Sequence, residues 1–191
     1  SDPLTETKLK GLLAHEVGVH VVRAANARKS KLALLVDGLD RYSTGEEGLA
    51  TYLQLQHTKT GEFGGANYYL AASIITGFDQ QQPRNFRQSY DWLYAYFSLL
   101  KSESVARELA WNLCLRFFRG SPDTSGEVLF FKDLAYLEGN VYIQYLFTKT
   151  KPDLEQLLIG KYDPSRKDHI VPLKKLGLLK PDFPEPEKIE L

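Results

Sequence analysis

His15-Glu16-Val17-Gly18-Val19-His20, followed downstream by Thr44-Gly45-Glu46-Glu47-Gly48-Leu49-Ala50, holds the residue types of a zinc hydrolase site. Zinc takes imidazole and carboxylate ligands, and a catalytic centre uses three protein ligands plus an open position for water. A carboxylate beside that water can remove its proton. The common arrangement sets two histidines four residues apart on one face of a helix. Here they stand five apart, which a regular α-helix rotates by about 140° around its axis. A single π-bulge absorbs the extra residue, and such bulges are frequent at functional sites. Gly18 lies inside the span and eases the distortion. The spacing therefore predicts a helix widened near Val17, Gly18 and Val19.

A purely structural reading stands beside this one. Thr44-x-x-Glu47 has the form of a capping box, in which Glu47 closes a helix end and touches no metal. Working outward, the pattern is mainly helical. The first motif sits in a helix from Thr5 to about Arg28. The segment Leu32 to Asp40 links it to the second motif, with Gly38 and Asp40 as turn formers. A helix then runs from Thr44 to about His57, and Gly61 to Gly65 breaks the pattern. Further helices are expected near 67–78, 85–100, 104–118, 131–147 and 153–158, with Pro83 and Gly120-Ser121-Pro122 at boundaries. Residues 180–191, with Pro181, Pro184 and Pro186, read as an extended tail.

Several blocks in one order resemble the bacterial proteins named for a QEGLA motif, whose animal relatives include the microtubule-associated tyrosine carboxypeptidases. His15-Glu16-Val17-Gly18 with His20 is similar to the family's HE[VI]GTH, and Glu46-Glu47-Gly48-Leu49-Ala50 to its [QE]EGLA. Arg119-Gly120, Lys132-Asp133, Tyr136-Leu137 and Gly139 are similar to its RG…KD..YL.G block. Gly160-Lys161 and Leu178-Leu179-Lys180-Pro181 are similar to its ending, so the likeness covers nearly the whole chain.

The resemblance implies a mainly α, helical metallopeptidase catalytic domain with one Zn2+. His15, His20 and Glu47 would be the ligands, and Glu16 the general base that activates a zinc-bound water. In the animal relatives the activity removes a C-terminal residue from a protein tail, so a peptide or protein C-terminal tail is the expected substrate. Val19 stands where the family usually has Thr, and Glu46 is more like the animal form than the bacterial Gln. The alternative is a helical binding or regulatory module that keeps the peptidase fold without turnover.

A peptidase site needs further groups. Tyr136 is the candidate oxyanion donor, and it reads equally as a helix-packing tyrosine. For the substrate's terminal carboxylate the candidates are Arg119, Lys132 and Arg23, Arg being favoured for its bidentate fork. Arg23 falls about one turn beyond His20 and could instead pair with Glu46 or Glu47. Each of the three also reads as an ordinary surface charge. Glu46 and Asn26 are expected to support the ligands from behind. His57 suits a helix C-terminus, His169 reads as exposed, and Tyr90, Tyr94 and Phe97 fall at helical spacing as core.

Composition sets the frame. A chain of 191 residues with 43% hydrophobic content can build one sizeable core, so residues 1–191 read as a single catalytic domain. Zero net charge gives nothing that argues for nucleic acid or an anionic membrane as partner, and neither is expected. No apolar run approaches membrane-spanning length. One cysteine, Cys114, forbids an internal disulfide and suits a cytoplasmic location, and its apolar helical setting predicts burial. The chain has no methionine and opens just before the first motif, which reads as the C-terminal part of a longer protein. Its upstream region is expected to complete the substrate pocket.

Overall fold

A computed structural model describes residues 5–58, 65–125 and 129–186. Among these residues the regular elements are all helical. In chain order they are α1 (Glu6–His15), α2 (Val22–Ala27), α3 (Leu34–Asp37), α4 (Ser43–Thr58), α5 (Ala66–Ile75), α6 (Phe86–Ser98), α7 (Glu103–Phe118), α8 (Ala135–Lys149), α9 (Leu154–Leu157) and α10 (Lys167–Lys175). A π-helical segment, Glu16–Val21, joins α1 to α2, and a 3-10 turn, Lys132–Leu134, leads into α8. No helix of the described residues is long and apolar enough to cross a membrane.

The chain forms two compact units, one from residues 1–64 and 135–191 and one from residues 65–134. In the first, Thr5 caps α1 by accepting the Lys8 N–H at 3.2 Å, which satisfies one of the orphan donors of a helix start. The helix widens at Glu16–Val21 and resumes as α2. This is the extra residue that the His15–His20 spacing requires.

Helix α4 packs against α1, the π segment and α8. The α4–α8 contact is backbone on backbone. A Cβ on Gly48 would lie 2.2 Å from the Gly139 carbonyl carbon, and one on Gly139 would lie 1.9 Å from the Thr44 carbonyl oxygen. Both glycines occupy motif positions because no side chain fits there. Asn140 donates to Thr51 Oγ1 at 3.1 Å beside this crossing. Val19, Leu49, Ile143, Leu157, Ile170 and Leu173 share the core of this unit.

The helix α10 departs from the sequence reading, which places none there. Pro172 lies inside it and removes an intrahelical hydrogen bond. Burial of His169, Ile170 and Leu173 on one side of α10 outweighs that loss. His169, expected exposed, is only 4% exposed for the same reason. Within the expected tail, residues 180–186 are non-helical and Phe183 is anchored in the core. Residues 187–191, and most of the expected break at Gly61 to Gly65, lie outside the described residues.

The second unit has its own core, with Ile75, Leu93, Phe97, Ala110 and Phe117 at its centre. Asn85 and Gln88 form a reciprocal capping box at the start of α6. Tyr90 and Tyr94 stack on each other and pack against this core. Cys114 is fully buried, and burial pushes its thiol up to about 12.

Candidate metal centre

The π segment turns His15 and His20 to one side, toward the first turns of α4. His15 Nε2 lies 3.6 Å from Glu47 Oε2, and His20 Nε2 lies 3.7 Å from the same oxygen. The three side chains each offer one ligand atom, and these atoms all fall within 4.8 Å of one another. Distances of this length are too great for good hydrogen bonds. They suit donors arranged around a small cation, since neighbouring ligand atoms of a tetrahedral zinc stand about 3.4 Å apart.

Glu47 Oε2 is buried and makes no hydrogen bond. An ionised oxygen left in that state is costly unless it is paired or coordinates a metal. The donor set of two imidazoles and one carboxylate is also that of a catalytic zinc. The residues therefore fit the ion. Helix α4 begins at Ser43, so Thr44 is inside it and Glu47 faces the imidazoles rather than a helix end.

Each imidazole is held from behind by α4. His15 Nδ1 stands 2.9 Å from Gln54 Oε1, a good hydrogen bond. His20 Nδ1 stands 3.4 Å from Glu46 Oε1, a longer charge contact. The Glu46 carboxylate raises His20 above the usual imidazole range against the desolvation of the ring, with Glu47 and Glu16 adding to it. Burial works to raise Glu46 itself, but His20 and Arg23 outweigh it and hold the carboxyl below its usual range.

Arg23 supports this layer. It is 1% exposed; its Nε donates to the Gly160 carbonyl at 2.7 Å and its Nη2 to the Tyr162 carbonyl. Its Nη1 has no hydrogen-bond partner, and its Cζ lies 5.3 Å from the centre of the Tyr162 ring. Burial lowers the guanidinium pKa, and the Glu46 charge opposes that. Asn26 donates to the Leu158 carbonyl at 3.0 Å. Arg23 and Asn26 thus bind the backbone of one segment, 158–162.

Glu16 is exposed on the π segment beside His15. Tyr136 is half-buried in the first turn of α8. Arg119 and Lys132 belong to the other unit. There Arg119 contacts Asp133 at 3.3 Å and stacks 3.9 Å from the Phe130 ring centre, while Lys132 is exposed. Arg116 contacts the same Asp133 carboxylate at 3.0 Å.

Gln54 was not among the residues singled out from the sequence. Its spacing of seven from Glu47 puts both on one side of α4 after two turns, which is the signal that would have found it. Gly11 also went unnoticed. It lies one turn before His15 where α1 meets α4, and a Cβ there would be 2.8 Å from Thr58 Cγ2.

Comparison with known proteins identifies the family. Residues 2–187 match the family described as microtubule-associated tyrosine carboxypeptidase. Microtubule-associated tyrosine carboxypeptidase 1 of Homo sapiens is 30% identical over 169 residues, covering 86% of this chain and 33% of the relative. The Mus musculus protein of the same name is 32% identical over 135 residues, covering 69% of this chain and 26% of the relative. The chain spans about a third or less of the length of these curated relatives. A match over residues 2–187, nearly the whole chain, makes this chain a member of the microtubule-associated tyrosine carboxypeptidase family.

Proposed function

We propose that this chain is a zinc-dependent carboxypeptidase that removes a C-terminal residue from a peptide or protein tail. The observation that carries the reading is the buried Glu47 Oε2, unpaired and facing the Nε2 atoms of both His15 and His20. His15, His20 and Glu47 would hold the ion. When bound, zinc supplies Lewis-acid chemistry, polarising a carbonyl and lowering the pKa of water towards about 7.

The chain's own residues do the rest. Glu16, exposed beside His15, takes the proton of the attacking water and passes it to the leaving amine. The Tyr136 hydroxyl is the proposed donor to the oxygen that gains charge. Glu46 and Gln54 hold the two imidazole rings with Nδ1 turned away from Glu47. His20 and Arg23 together hold the buried Glu46 carboxyl below its usual range.

The test has two steps. Protein purified without chelator is assayed for bound metal, with His20→Ala beside it. About one zinc per chain is expected in wild type and far less in the variant. Release of the last residue from synthetic peptides is then compared between wild type and Glu16→Gln. The variant should keep its zinc and lose about 100- to 10,000-fold in rate. Zinc retained with no release above background in either protein would end the peptidase reading and leave a binding module with the same fold, and equal release in both would remove Glu16 as the base.

A further inference from the structure

The two imidazoles of the cluster are oriented by unlike partners, a carboxylate behind His20 and a neutral amide behind His15. A ring that bonds through Nδ1 presents Nε2, and the group behind it decides which nitrogen carries the proton. An amide oxygen only accepts. Gln54 Oε1 at 2.9 Å therefore places the His15 proton on Nδ1 and leaves the Nε2 lone pair facing Glu47 Oε2. His15 is only 8% exposed, so water competes poorly for Nδ1.

A second feature shows that the chain makes room for this amide. A Cβ on Gly11 would lie 3.3 Å from Gln54 Cγ, as well as against Thr58. The missing side chain at Gly11 lets α4 approach α1 closely enough for Gln54 to reach back to a ring one turn along. Helix α4 thereby supplies the third ligand, Glu47, and the orienting groups of both histidines. The arrangement is also sparing of charge. Glu46, Glu47 and Glu16 already bring negative charge to the cluster, and a neutral group behind His15 adds none.

From this geometry we infer that Gln54 is a positioning residue of the metal centre: its amide oxygen fixes His15 in the Nδ1–H form, so that Nε2 is the nitrogen offered to the ion. The inference rests on the metal reading above. It gives Gln54 no contact with substrate. Removing an outer partner of a metal-binding histidine typically weakens metal affinity by about 10- to 100-fold.

The experiment uses the whole chain, as wild type, Gln54→Leu and Gln54→Glu. The zinc-free wild-type protein is examined by 15N NMR for the tautomer of His15. Zinc dissociation constants of all three are measured by competition with a chromophoric chelator, and thermal unfolding of the zinc-free proteins monitors the fold. The expected wild-type tautomer is Nδ1–H. Gln54→Leu should bind zinc about 10- to 100-fold more weakly. Gln54→Glu keeps an acceptor behind Nδ1 and should bind at least as tightly as wild type.

An Nε2–H form of His15 in the wild type would overturn the inference. So would zinc binding in Gln54→Leu equal to wild type, or binding in Gln54→Glu as weak as in Gln54→Leu. Should Gln54→Leu fail to fold, the wild-type tautomer and the Gln54→Glu affinity still decide. Absence of zinc binding in wild type overturns this inference and the metal reading together. Zinc held equally by wild type and Gln54→Leu overturns this inference alone.

Discussion

His169 Nδ1 accepts the Asp163 backbone N–H at 3.0 Å, so this buried ring holds no proton on that nitrogen. The bond pins the residues just after Tyr162, whose carbonyl receives Arg23. It also fixes the loop against α4, where a Cβ on Gly45 would lie 2.5 Å from Pro164 Cδ and 2.7 Å from Asp163 Cα. Burial holds the His169 pKa below its ordinary value of 6.5, with Arg166 acting the same way and Asp168 and Asp163 opposing. A histidine whose pKa is depressed by folding binds more protons when unfolded, so its contribution rises with pH. That stability is fully present above about 6.5 and is lost as the pH falls below it toward the folded value. His169→Asn keeps an acceptor near the Nδ1 position and removes the titration. The variant gives up buried ring volume and should be less stable by about 1–3 kcal/mol at pH 7.5. Its urea midpoint, measured without metal, should fall less than that of wild type between pH 7.5 and pH 5.5. Equal slopes for the two proteins would remove His169 from the acid response.

At the scale of elements, the π segment and α4 together make the site. The five-residue spacing of the histidines announces the π segment, because a regular helix cannot turn both rings to one partner. Helix α4 was legible in extent, but its first turn reads equally well as a cap, and only the fold shows Glu47 Oε2 buried between the rings. Helix α10 was not legible. Pro172 signals a break, and the burial that overrides it depends on neighbours far away in sequence. If the π turn is a one-residue insertion in an α-helix, deleting one exposed residue should restore the regular geometry. Val17 is 47% exposed and Val19 fully buried, so deletion of Val17 leaves the core position and places the histidines four apart. Everything on either side keeps its face, since four residues bring the helix back to the same side. The deletion protein should therefore still bind about one zinc, with a thermal midpoint no lower than that of wild type. A variant that unfolds or loses the metal would show that the widened turn, rather than the direction of the rings, is what the fold requires.

Across the whole molecule, His15, His20 and Glu47 lie in the first 47 residues and are backed by Glu46 and Gln54, while Arg23 and Asn26 tie their helix to residues much later in the chain. Arg23 reaches the Gly160 and Tyr162 carbonyls across 137 and 139 residues of sequence, and Asn26 reaches Leu158 across 132. No local pattern contains that information. A helical arginine one turn past a ligand looks like a free cation until residues 158–162 fold beneath it. The sequence therefore nominates the cluster of His15, His20 and Glu47 and the supports Glu46 and Asn26, but not the carbonyls that Arg23 and Asn26 bind. The same topology makes a sharp prediction. Arg23→Leu preserves apolar volume, leaves two buried carbonyls without their donor and strips Glu46 of its neighbouring cation. Breaking a buried charge arrangement from one side costs about 3–5 kcal/mol. Arg23→Lys, a single point charge in place of a fork, should recover only part of it. Urea unfolding of the metal-free proteins measures the loss, and amide exchange locates it. Faster exchange should be concentrated at residues 34–40 and 158–163, where Leu39 N–H and Lys161 N–H pair across the two segments at 3.0 and 3.1 Å. Zinc affinity should fall with it, because Glu46 loses one of the charges that hold its carboxyl below its usual range behind His20. Wild-type stability in Arg23→Leu, with unchanged exchange at both segments, would mean that Arg23 is not the tie between the histidine-bearing helix and the C-terminal part of the fold.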